Sequence, residues 1–382
     1  MKSIPYYLAL VALPAFGGIF GDLPDDRHAW SVHDANRPVP PVVNAEPGKA
    51  PSDAVVLFDG TNLDAWQKDN DRGETAHWRI RDGILISSRG GGIRTRQNFG
   101  DCQFHIEWRA PENLPKHVTG QARYNSGVFF GGVGGYEIQI LDSYNSPTYA
   151  DGQAASVYGQ NPPLVNAMRP PKEWQTYDII WHQPRRGADG KMLTRGSVTV
   201  LHNGVLVQDH WEYEGGHTWC RRLDYPKLPA KGPIFLQDHG NDVEFRNIWI
   251  REIPAREENT THGTPWVNKD DVLKLRAQTA ARLLAERKDK LTLEDILEIR
   301  SYFTTPENKA LTKKLADDYI AEVKTYTPEN IDDAKMGRMR YLNTRCRRLV
   351  QAKVFPPTCT VLAATDEAIK RLEPALKAKK AK

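Results

Sequence analysis

The chain is short of cysteine, of net charge and of long apolar runs, and each shortage excludes something. Its four cysteines, Cys102, Cys220, Cys346 and Cys359, stand at spacings that match no zinc pattern, so no metal and no cofactor is expected. They suit an oxidising compartment, either as free thiols or as the pairs Cys346–Cys359 and Cys102–Cys220. A formal charge of +4 over 382 residues is too small to argue for nucleic acid. Low-complexity tracts and sustained heptads are absent, which leaves an ordinary globular chain long enough for two domains. The apolar run from Ile4 to Phe20 is too short, and too broken by Pro5 and Pro14, to span a membrane. With Lys2 before it and small residues around Ala15-Phe16-Gly17, it fits a secretory signal peptide over residues 1–21. No cysteine follows for a lipid anchor, and the alternative is a short uncleaved N-terminal anchor. A periplasmic or secreted protein is therefore expected, without membrane association beyond the leader.

What is present falls into two parts. All ten tryptophans lie before residue 270, which points to a β-rich first part. Residues 22–53 include Arg37-Pro38-Val39-Pro40-Pro41-Val42-Val43, an extended arm that proline keeps out of helices. From 54 to 253 short apolar runs are separated by turns, and Asp82-Gly83, Asp189-Gly190 and Asn203-Gly204 predict hairpins. Phe104, Ile106 and Trp108 alternate with Gln103, His105, Glu107 and Arg109. About eleven such antiparallel strands predict an all-β two-sheet sandwich of jelly-roll type. Residues 254–267 read as a polar linker and 268–382 as a small α-helical tail, with Asn268 capping its first helix. Further helices are expected over 293–302, 307–326, 331–354 and 366–378. Residues 255–382 carry 26 Lys/Arg against 19 Asp/Glu. This is either a solvated helical face or a contact for a membrane surface or polyanion. No catalytic motif occurs there, and nothing identifies a protein partner.

The most informative stretch is Gly135-Tyr136-Glu137-Ile138-Gln139-Ile140-Leu141-Asp142-Ser143. On a strand, residues two apart share a face, so Glu137 and Gln139 point the same way. Asp142 joins them if a β-bulge near Ile140-Leu141 adds one residue. A row of Glu, Gln and Asp on one face is costly unless it lines a wet groove. Carboxylate pairs in such grooves act on sugars. The competing reading is a solvated outer face, with Glu137 in an ion pair with a nearby arginine and Asp142 in a turn.

Several landmarks resemble the 3-keto-disaccharide hydrolase family. They include Leu57-Phe58-Asp59-Gly60-Thr61-Asn62-Leu63, Asn125-Ser126-Gly127-Val128-Phe129, Tyr136 to Asp142, Glu173-Trp174-Gln175 and Leu236-Gln237-Asp238-His239-Gly240. The resemblance covers about residues 54–252 and implies a concanavalin A-like sandwich with a concave sugar-binding face and a carbohydrate substrate, a 3-keto-glycoside. The fold is shared with laminarinase-type glycosidases, whose bulged strand reads Glu-x-Asp-x-x-Glu; here the spacing reads Glu137-x-Gln139-x-x-Asp142. A shorter final acid and a neutral middle residue disturb the reach that double displacement needs. The ketone implied by the family removes that difficulty, because it acidifies the hydrogen at C2. The resemblance then gives Glu137 as base and Asp142 as acid or second base, with Gln139, Gln237 and His239 orienting the sugar or holding the enolate. His239 and Gln237 share a face if their strand continues, and imidazole chemistry suits acid–base work. Tyr158 and Asn166 lie in an irregular segment that either walls the groove or closes the loop on itself. Trp66 and Trp174 are sugar-stacking candidates or core. The glycine runs 90–92 and 131–135 precede no helix and read as turns, not phosphate loops. Asp69-Asn70-Asp71 is too little to predict calcium. The alternative to an enzyme is a non-catalytic carbohydrate-binding or scaffold module.

Overall fold

A computed structural model describes residues 30–34, 37, 39–70, 72–132, 134–253 and 269–380. The expected signal peptide, the linker and the Asn268 cap lie outside the described residues. The chain divides into two compact units, one of residues 41–255 and one of residues 1–40 with 256–382.

The first unit is all β. Its strands are β1 (Val55–Phe58), β2 (Trp66–Lys68), β3 (Arg79–Arg81), β4 (Ile84–Ile86), β5 (Ile93–Thr95), β6 (Cys102–Arg109), β7 (Ser126–Phe130) and β8 (Tyr136–Ile140). There follow β9 (Gln175–His182), β10 (Arg185–Arg186), β11 (Met192–Thr194), β12 (Ser197–His202), β13 (Val205–Glu212), β14 (Gly216–Thr218), β15 (Arg221–Leu223), β16 (Ile234–Leu236) and β17 (Glu244–Glu252). One sheet runs β13-β12-β9-β6-β17-β4-β3 with β1 also on β17, and the other runs β2-β5-β16-β7-β8. Every pairing in both is antiparallel, as the sequence pattern requires. All three hairpin signals produce hairpins: β3–β4 over Asp82-Gly83, β10–β11 over Asp189-Gly190, and β12–β13 over Asn203-Gly204. In the first and third, both turn residues take positive φ, the type I′ geometry that matches strand twist.

Between the sheets lies one apolar cluster that includes Trp108, Trp181, Phe104, Phe130, Tyr136 and Tyr177. Trp66, Trp78, Trp108 and Trp181 are thus core residues, while Trp219 is exposed. Trp66 is fully buried, with its indole N–H on the Leu57 carbonyl at 2.8 Å, so it is no sugar platform. Trp174 lies between the guanidinium groups of Arg109 (4.5 Å) and Arg246 (4.1 Å). The alternation along β6 sends Phe104, Ile106 and Trp108 inward. His105, Glu107 and Arg109 point outward onto Asp178, Arg246 and Glu244.

The second unit holds α1 (Lys269–Arg287), α2 (Leu293–Tyr302), α3 (Pro306–Lys324), α4 (Asp333–Gln351) and α5 (Thr360–Lys380). Capping boxes at Thr292 and Thr305 and a cap at Asp332 start α2, α3 and α4. Helix α5 begins six residues before the expected Asp366. The proline-rich arm is divided: residues 30–34 belong with the helices, and Asp34 pairs with fully buried Arg276 at 3.0 Å. Among the described residues no helix is long and apolar enough to cross a membrane. All four cysteines are free thiols, the first of the two alternatives the sequence left open. Cys102 is buried in β6 while Cys220 is exposed after β14, and Cys346 and Cys359 meet only through a hydrogen bond.

Candidate active site

Strand β8 is buried along its whole length, which alternation alone does not explain. Tyr136, Ile138 and Ile140 enter the core between the sheets. The other face carries Glu137 and Gln139, 6% and 1% exposed, so both polar side chains lie in the interior. The far edge of β8 is closed by backbone bonds from Ala155 and Tyr158 to the Gln139 and Glu137 carbonyls, at 2.9 and 3.2 Å. A polar cap covers the face: Gln121 bonds Thr148 and the Gly152 carbonyl (3.0 and 2.9 Å), and Asn125 bonds Gln121 (3.1 Å).

Room for the Glu137 carboxylate is made by Gly127 on β7. A Cβ there would collide with Glu137 Oε1 and come within 2.9 Å of Phe129. Glycine inside a strand often marks such a close approach. The Gln139 amide has Gln121 Oε1 at 2.8 Å on one side. Its other terminal atom lies 3.1 Å from Glu137 Oε1 and 2.8 Å from the Ser126 carbonyl. With nitrogen on that second side, Gln139 donates to both acceptors. No arginine or lysine pairs with Glu137 among the described residues, and burial alone pushes its carboxyl up to about 8. The negative charge of ionised Glu137 in turn reaches Tyr158, whose phenol is raised by burial, by its bond to Tyr149 and by that charge. The two phenols share a hydrogen bond at 2.6 Å.

Gln237 adjoins the same place. Its N–H donates to the Gly127 carbonyl (3.0 Å) and Ser126 Oγ donates to its carbonyl (2.7 Å). Its side-chain Oε1 is buried without a partner among the described residues, an acceptor available to a ligand hydroxyl. Glu137, Gln139, Tyr158 and Gln237 are therefore brought together.

The other candidates sit differently. The β7/β8 register is unbroken from Ser126↔Ile140 to Phe130↔Tyr136 and β8 ends at Ile140, so the expected bulge does not form. Asp142 is fully buried and paired with Arg123, whose guanidinium also bonds the Val118 carbonyl (3.0 Å). Burial raises the Asp142 carboxyl despite the Arg123 charge beside it. Strand β16 ends at Leu236, so Gln237 and His239 share no strand face; His239 is exposed in the following turn. Asn166 binds the Ser143 carbonyl and receives the Met168 N–H, both at 3.1 Å, and so staples its own loop. Asp69 faces Arg94 at 3.7 Å, and Asn70 caps its own turn. Sequence reading missed Gly127, Gln121 and Arg123. A glycine centred in an apolar strand beside an acid-bearing strand was the signal for the first.

Residues 53–251 match the family model of the 3-keto-alpha-glucoside-1,2-lyase-like domain, just over half of the chain. The chain belongs to this family. A 3-keto-disaccharide hydrolase of Bacteroides thetaiotaomicron is 24% identical over 235 residues, covering 52% of this chain and 77% of the relative. A crystal structure of a candidate glycosyl hydrolase from Parabacteroides distasonis is 43% identical with a TM-score of 0.53, over 59% of this chain and 98% of that one. Another from the same organism is 20% identical with a TM-score of 0.40, over 52% and 94%. The family's domain is the sandwich, and helices α1 to α5 lie outside the matched residues.

Proposed function

We propose that the chain cleaves 3-keto-glycosides by elimination followed by hydration, with Glu137 as the base. The observation that carries this reading is a carboxyl buried without a cation, pushed up to about 8 by burial. An isolated high-pKa carboxylate is a stronger base than an ordinary one, which suits removal of a carbon-bound proton. Glu137 takes the C2 hydrogen, and its electron pair moves to the C3 oxygen as an enolate. When the enolate collapses, the C1–C2 double bond forms and the C1–O bond breaks. Water then adds its oxygen to C1 and a proton to C2, so the sum is hydrolysis. This sequence reconciles a family described by a 1,2-lyase with a relative named as a hydrolase.

Tyr158, kept protonated by burial and by Tyr149, is the proposed donor to the leaving oxygen. Gln237 accepts from a sugar hydroxyl, Gln139 orients the Glu137 carboxylate, and Asp142 and Arg123 fix the end of β8. Export to the periplasm or medium is proposed from residues 1–21 alone, and N-terminal sequencing of the protein recovered from its host tests it.

The deciding experiment is turnover of 3-keto-trehalose and a simple 3-keto-glucoside by the full chain across pH 5 to 9. The expected kcat/KM rises with pH through about 8, and Glu137→Gln loses on the order of 10²–10⁴-fold. Tight binding of the keto-sugars by folded protein without any turnover would replace the enzyme with a carbohydrate-binding module.

A further inference from the structure

The helical unit has a cavity of its own, of about 520 Å³. It lies between α2, the first turns of α3, and the α4–α5 connection with the start of α5. Leu297, Ala316, Phe355 and Val361 make most of its wall apolar, and its charged lining residues are Arg300, Lys309 and Lys313, with no carboxylate among them. Lys313 is already engaged by Asp317 at 2.8 Å, outside the lining. Arg300 is different: it is only 7% exposed and forms no ion pair with a carboxylate among the described residues.

A guanidinium carries five N–H donors. Arg300 uses one, in a long bond of 3.4 Å to the Val354 carbonyl, and its Nε is buried without a partner. Its guanidinium carbon lies 4.2 Å from the centre of the Phe355 ring, over its face. Burial depresses its basicity, and the neighbouring Cys359 sulfur, which carries charge only when ionised, acts the other way. Leaving a charged group buried with donors unmet is costly, and a bound carboxylate would relieve that cost.

We propose that this cavity binds a small monocarboxylate with an apolar body. The carboxylate accepts from the Arg300 guanidinium in bidentate fashion, with Lys309 adding charge at the rim. The hydrocarbon part lies against Leu297, Phe355 and Val361. An apolar pocket with a single convergent charged group is the usual form of such sites. The site stands outside the residues matched to the sugar-processing family, so it is an effector or carrier site carried by the helices.

The test is isothermal titration of the full chain with octanoate, with octan-1-ol and acetate as controls. Octanoate is expected to bind one to one, and both controls at least ten-fold more weakly. Arg300→Leu should weaken octanoate at least ten-fold. Ala310→Trp, which plugs the exposed mouth without touching the buried packing, should abolish binding while leaving keto-sugar turnover unchanged. No binding of millimolar octanoate by the folded chain overturns the proposal. So does equal affinity for octan-1-ol, or wild-type affinity in Ala310→Trp, which keeps the test decisive even if Arg300→Leu fails to fold.

Discussion

Replacing Glu137 by glutamine should make the sandwich more stable at neutral pH, and by an amount that depends on pH in a defined way. Burial pushes the folded carboxyl up to about 8, against 4.5 for a solvent-exposed glutamate in the unfolded chain. Below pH 4.5 both states are protonated and the group contributes nothing. Between 4.5 and 8 the unfolded chain releases its proton while the folded one keeps it, so stability falls as pH rises. At about 1.36 kcal/mol per pH unit, the loss reaches roughly 3 kcal/mol at pH 7 and levels near 5 above pH 8. Glutamine keeps the shape and the hydrogen-bonding ends but cannot ionise, so its variant lacks this slope. Urea unfolding followed by tryptophan fluorescence suits the measurement, because eight of the ten tryptophans fall within residues 55–252. The wild-type minus variant difference should grow from pH 4.5 to 8, with other titrating groups cancelling. A difference that stays constant across that range refutes the argument, since it would mean Glu137 ionises alike in both states.

Gly127→Ala should displace the Glu137 carboxylate and cost on the order of 10²-fold in kcat/KM on keto-sugars, with far-UV circular dichroism retained. Tyr158→Phe should lower turnover of 3-keto-trehalose about 10²-fold but spare a 3-keto-glucoside with a p-nitrophenyl leaving group, which needs no protonation. Arg123→Met should destabilise the fold by about 3–5 kcal/mol in urea unfolding, because it strands a buried charge on Asp142. Asp142→Asn should keep turnover within ten-fold of wild type. His105 is pulled down by burial, but Asp178 and Glu107 overcome this and raise it to about 9. Its contribution is full below pH 6.5 and lost as pH rises through 9, so His105→Gln should cost up to about 3 kcal/mol at pH 6 and little above 9.

The sandwich was legible because its signals are local. Period-two alternation in β6, and Asp-Gly or Asn-Gly pairs at three hairpins, dictate strand and turn wherever the rest of the chain lies. The same holds for the side shared by Glu137 and Gln139, and for the starts of α2 and α3, expected at 293 and 307 and found at Leu293 and Pro306. Strands β2, β5, β14 and β15, three residues each, are too short to show a period and carry no hairpin signal, and they exist through their partners.

What only the tertiary structure decided is which polar groups are left without a counter-charge. Glu137 and Asp142 look alike as buried acids near one strand, yet Arg123, nineteen positions from Asp142, neutralises one of them while Gly127 only makes room for the other. Cys346 and Cys359 share a hydrogen bond as free thiols, and Arg300 finds no carboxylate among the described residues. A charge state depends on three-dimensional distance and burial, and neither is a property of neighbouring positions in the chain.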